Sequence, residues 1–139
     1  MTLIVDASVA AKWYLAEADS DAAQHLFDAG HEFLAPELLL AELANTLFKA
    51  WSRGAIDDLH MDRSIGEVTK AIATFWPLSD LVADAMVISR IIRHPVYDCI
   101  YLALGWRTGA RIVTADERFL EVARATSWDS FLLPLREAV

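Results

Sequence analysis

A single cysteine stands in the 139-residue chain. That excludes an internal disulfide and, with no Cys/His cluster, a structural zinc site. It also favours a reducing, cytoplasmic setting. Glycine and proline are scarce, at five and four, while 55% of the residues are hydrophobic, which excludes disordered and low-complexity architectures. No apolar run reaches the roughly 18 residues that cross a bilayer, so no membrane partner is expected. The opening Met1-Thr-Leu-Ile-Val-Asp6 has no basic leader region, and Asp6 interrupts its apolar stretch. Positive charge is short as well: 12 Lys+Arg against 20 Asp+Glu leave −8. Bulk attraction to nucleic acid is thereby weakened, because phosphate binding is mostly electrostatic. A nucleic-acid role would have to rest on a few placed groups.

What is present alternates. Thr2–Asp6 reads as a short buried strand, and Ser8–Glu17 and Ser20–Gly30 as helices, the second stopped by Gly30. Phe33–Ala35 reads as a brief second strand. Pro36 is placed in the first turn of a long helix reaching about Arg53, with Gly54 just past its end. Ile65, Val68, Ile72 and Phe75 mark the next helix, and Leu81, Ala85, Ile88 and Ile92 another, stopped by Pro95. Tyr97–Arg107 is a mostly apolar helix, Arg111–Thr114 a strand, Glu117–Ala125 a helix and Phe131–Leu133 a last strand. Such alternation predicts one α/β domain over residues 1–139, with a mainly parallel sheet of about four or five strands flanked by helices. Sites in such sheets lie beyond the carboxyl ends of the strands. Asp6 and Asp116 fall there.

Four carboxylates carry the chemistry, and each has an ordinary structural reading. Asp6 could cap a helix, although Ser8 serves that cap equally well. Glu42 falls opposite Leu40, Leu43, Ala44, Leu47 and Trp51 at roughly 100° per residue. It shares a stripe with Asn45, Thr46, Lys49 and Arg53 that is either a solvated face or one wall of a groove. Asp98 is the one charge in Val-Tyr-Asp98-Cys-Ile-Tyr-Leu-Ala-Leu-Gly. A carboxylate in such a segment is costly unless paired, hydrogen-bonded or metal-bound, although a first-turn anion is favoured by the helix dipole. Asp116 sits in Thr114-Ala-Asp116-Glu117, which reads structurally as a capping box from Thr114 to Glu117. Together, several Asp/Glu oxygens without a His/Cys cluster suit Mg²⁺ or Mn²⁺ rather than zinc.

The order Ile-Val-Asp6-Ala-Ser8, Glu42-Leu-Ala-Asn45, Tyr97-Asp98-Cys-Ile-Tyr-Leu-Ala-Leu104 and Thr114-Ala-Asp116-Glu-Arg-Phe119 resembles PIN-domain ribonucleases. The likeness is specifically to the VapC toxins of toxin–antitoxin pairs, and it covers nearly the whole chain. It implies that Asp6, Glu42, Asp98 and Asp116 are catalytic and metal-binding, with Ser8, Asn45 and Thr114 supporting them. It further implies a Mg²⁺- or Mn²⁺-dependent endoribonuclease, a homodimer, and a VapB-like antitoxin whose C-terminal segment covers the site. The expected reaction is hydrolysis of an RNA phosphodiester by a metal-activated water. Lys12, Lys49, Arg53 and Arg118 are candidate RNA contacts. His25, His31 and His60 read as surface; His94, beside Pro95, could approach the site, although such a residue is more often a helix-end feature.

Two other classes compete. A haloacid-dehalogenase-like phosphatase also places an Asp after its first strand, but it would want a second Asp where Ser8 stands. A non-catalytic binding module would use the same acids only to cap helices.

Overall fold

The computed structural model describes residues 1–138. Among them five strands form one all-parallel sheet in the order β3-β2-β1-β4-β5. The strands are β1 (Thr2–Val5), β2 (Glu32–Pro36), β3 (Thr74–Trp76), β4 (Arg111–Thr114) and β5 (Leu132–Pro134). Leu3, Ile4 and Val5 are fully buried. A strand covered on both faces reads as a continuous apolar run rather than as an alternation.

The helices are α1 (Ala7–Tyr14), α2 (Ser20–Asp28), α3 (Leu38–Ser52), α4 (Asp58–Ala71), α5 (Val82–Ile92), α6 (Val96–Thr108) and α7 (Glu117–Arg124). Helix α6 is buried from Cys99 through Gly105, because it lies between α5 and strands β2, β1 and β4. Its lack of an amphipathic pattern is thereby explained. Gly105 permits the close approach: a Cβ there would meet the Ile112 and Phe131 side chains at 3.2 Å. Gly109 closes the helix in the left-handed region at φ 73°, its N–H donating to the Gly105 carbonyl.

The chain runs from β1 through β2 to β3 on one side, then returns to β4 on the other side of β1. The β1/β4 boundary is therefore the switch point of the sheet, where the crevice beyond the strand ends opens. The Asp6 N–H continues this pairing by donating to Val113 O at 3.0 Å.

Several local expectations change. Pro36 ends β2 opposite Trp76 and does not enter α3. Phe75 lies in β3, not on a helix; the Ile65–Val68–Ile72 periodicity ends where Ala73 N–H bonds Phe33 O and the edge strand begins. The buried seam of α3 is Leu39, Leu43, Leu47 and Ala50, one step away from the expected one. Trp51 is 42% exposed and its Nε1–H donates to Asp58. Among the described residues no helix is long and apolar enough to cross a membrane.

Candidate active site

Asp6 follows β1 with extended backbone and is itself the N-cap of α1, its Oδ1 accepting from Ala7 N–H at 2.9 Å. Ser8 is not the cap. Its hydroxyl donates to Asp6 Oδ2 (2.7 Å), as does the hydroxyl of Thr114 (2.8 Å). Asp6 is only 5% exposed and Thr114 is fully buried. Two adjacent strand ends thus clamp one carboxylate.

Thr114 does not open a capping box. Asp116 is the N-cap of α7, its Oδ1 accepting from Arg118 N–H (3.0 Å) and Phe119 N–H (3.2 Å), while Glu117 is exposed. The Thr114 hydroxyl accepts from Asp116 N–H (3.1 Å), and Ser8 Oγ accepts from Ala115 N–H (3.0 Å). The β4–α7 turn is thereby tied to the start of α1.

Glu42 projects from α3, and its Oε1 accepts from the Tyr101 hydroxyl of α6 at 2.7 Å. Burial, with the charges of Asp6 and Glu42, pushes the Tyr101 phenol well above its usual value, so it stays a donor. Asp98 is in the first turn of α6. Its Oδ2 accepts from His94 Nε2 at 2.5 Å, the donor assignment following from the acceptor-only carboxylate. His94 is 7% exposed and its ring lies parallel to Phe119. Of the two readings of His94, the approach to the site is the one seen, as a partner of Asp98 rather than a plain helix-end residue; the motifs gave no role to Tyr101. The available signal was helical spacing for Tyr101, three residues after Asp98 on α6; His94 precedes the Pro95 cap and carries no such signal.

Asp6, Glu42, Asp98 and Asp116 line one cleft of about 310 Å³ with Ser8, Ala11, Lys12, Glu17 and Thr46. Desolvation raises Asp6 from 3.8 to about 6, against the lowering bonds from Ser8 and Thr114 and with help from the charges of Asp98 and Asp116. Desolvation likewise raises Glu42 to about 7, against the Tyr101 bond and with the charges of Asp6, Asp98 and Asp116. Asp98 is raised too, chiefly by burial, with His94 opposing. Burial pushes the nearby Cys99 thiol up to about 11, which leaves it a poor nucleophile.

The donor set fits a hard divalent cation. It is all oxygen, and burial, with a smaller contribution from the neighbouring carboxylates, already holds Asp6, Glu42 and Asp98 toward their neutral forms. Each of Glu42, Asp98 and Asp116 is anchored through one oxygen, while Glu42 Oε2, Asp98 Oδ1 and Asp116 Oδ2 have no hydrogen-bond partner among the described residues. No three acidic, histidine or cysteine side chains among the described residues are already gathered at coordinating separation, so a cation would have to draw the carboxylates inward.

The other expected residues divide. Ser8, Thr114 and Lys12 belong to the cleft, whereas Asn45 is exposed on α3 outside it. Lys49 and Arg53 are exposed at the far end of α3. Arg118 is exposed in the first turn of α7, and its charge favours ionised Asp98.

Comparison with known proteins identifies the family and the fold. Ribonuclease VapC3 of Pyrobaculum aerophilum is 29% identical over 124 residues, covering 87% of this chain and 94% of that protein. The crystal structure of PAE2754 from Pyrobaculum aerophilum matches with a TM-score of 0.71 at 19% identity, over 98% of this chain and 90% of that one. The latter likeness is one of fold. A family model described as PIN domain matches residues 3–125, and the chain belongs to that family.

Proposed function

We propose that this protein is a divalent-metal-dependent endoribonuclease and the toxin of a toxin–antitoxin pair, formed of one PIN domain over residues 1–139. The observation that carries the reading is the convergence of four carboxylates, from the ends of β1 and β4 and from α3 and α6, on one cleft. The similarity to a ribonuclease VapC supports the substrate class. Asp6, Glu42, Asp98 and Asp116 would hold Mg²⁺ or Mn²⁺. When bound, such a cation polarises the phosphodiester and makes water a competent nucleophile near neutral pH.

The chain's own residues hold the reacting groups in place. Ser8 and Thr114 fix the Asp6 carboxylate, Tyr101 fixes Glu42 and His94 fixes Asp98. Preorganised side chains lose little freedom when the substrate arrives. A VapB-like antitoxin covering the cleft, and a homodimer, complete the proposal. Exposed Ile91 and Trp106 supply apolar surface that supports association.

Incubation of the purified protein with total cellular RNA tests the function. Discrete fragments should appear with Mg²⁺ or Mn²⁺ and disappear with chelator. Release of phosphate from p-nitrophenyl phosphate, without RNA cleavage, would instead favour the phosphatase class. No reaction with either substrate in either metal would favour the binding module.

A further inference from the structure

Lys12 is, among the described residues, the one cation lining a cleft that also presents Asp6, Glu17, Glu42, Asp98 and Asp116. Ala7, Ser8, Ala11 and Lys12 share one face of α1, as residues spaced by four do on a helix. Six residues from Asp6 put Lys12 roughly 9 Å further along that wall. Its side chain is only 12% exposed, and its Nζ pairs with Glu17 Oε2 at 3.3 Å. Glu17 lies in the loop after α1, where its N–H donates to Ser20 Oγ.

We propose that Lys12 binds an RNA phosphate next to the scissile one, and that Glu17 occupies this place until substrate arrives. The inference rests on the nuclease reading above and names how that site engages its substrate. A carboxylate and a phosphodiester are both anions with paired oxygens, so either satisfies the ammonium. The exchange also answers the charge problem. A chain with a net charge of −8 cannot collect RNA by bulk attraction, but a lysine held in the cleft wall supplies one local contact. Glu17 keeps that lysine from collapsing onto the catalytic acids. Its release into water on binding costs little, because partly exposed ion pairs are weak.

Steady-state cleavage of a short single-stranded RNA with Mn²⁺, together with binding of the same RNA with Ca²⁺ in place of Mn²⁺, tests the exchange. Removing the competitor with Glu17→Gln should lower KM and Kd about two- to fivefold, with kcat moving much less. Lys12→Met should raise both about tenfold, and Lys12→Arg should recover most of the loss. The salt dependence of binding should fall by about 0.7 in log–log slope for Lys12→Met. The double variant should match Lys12→Met, since without the lysine Glu17 has nothing to block. Unchanged or weaker binding in Glu17→Gln, or a Lys12→Met defect confined to kcat, would overturn the proposal while wild-type cleavage leaves the nuclease reading intact. A wild-type protein that neither binds nor cuts RNA would overturn both.

Discussion

The hydroxyl of Tyr101 donates to Glu42 Oε1 across 2.7 Å, joining α6 to α3 above the carboxyl end of the sheet. Fifty-nine residues separate the two in sequence, and both lie beside the other acids of the cleft. Tyr101→Phe keeps the buried ring and removes only the donor. RNA cleavage at limiting Mn²⁺ should fall about tenfold, the lower end of what outer-shell partners contribute. A metal titration of activity checks it, since excess Mn²⁺ should recover much of the loss.

Asp98→Asn separates catalysis from structure. The amide oxygen can still accept from His94, so the fold should persist. Cleavage should drop by at least about 100-fold. Removing one of the mutually repelling charges should raise the melting temperature of metal-free protein at pH 8 by about 2–4 °C. Metal-dependent cleavage at the wild-type rate in this variant would sink the assignment of Asp98.

Thr114→Val is nearly isosteric and probes the clamp between β1 and β4. It takes one donor from Asp6 and leaves the Asp116 N–H without the hydroxyl that now accepts it. An unpaired buried polar group costs about 1–3 kcal/mol, so thermal denaturation should shift down by several degrees. The Asp6 carboxyl should titrate still higher, moving the acid limb of the pH–activity profile upward.

Acidity of the medium should stabilise the metal-free protein. In the folded chain burial pushes the Asp6 carboxyl up to about 6 and that of Glu42 up to about 7, above their ordinary values of 3.8 and 4.5. Between those limits the native state binds more protons than the unfolded chain, so stability falls as pH rises through about 4 to 7. Denaturation in chelator should therefore occur at lower temperature at pH 8 than at pH 5.5. Mg²⁺ or Mn²⁺ should raise the melting temperature more at pH 8, where protons no longer compete for the carboxylates. A stabilisation by metal that is equal at both pH values would contradict this linkage.

Sequence pattern determined much of this molecule. Continuous apolar runs such as Leu3–Val5, and the shorter pair Ile112 and Val113, mark strands buried on both faces, and helical spacing marks most of the helices between them. The motifs around Asp6, Glu42, Asp98 and Asp116 were also visible, because a charge bordering an apolar element stands out. Local pattern failed where neighbours in space decide the outcome. Phe75 continues a helical period yet enters β3, since pairing with β2 outweighs periodicity in a three-residue edge strand. Thr114 looked like a cap, but the adjacent Asp6 takes its hydroxyl and Asp116 takes the capping role. Only the tertiary structure decided that Tyr101, His94, Ser8 and Thr114 each hold a carboxylate, and that Lys12 faces Glu17 within the same cleft. The physical reason is that hydrophobic periodicity records which side of an element is buried, whereas a hydrogen bond depends on which element lies opposite. The scarcity of positive charge was plain in the composition; where the few cations stand is a property of the fold.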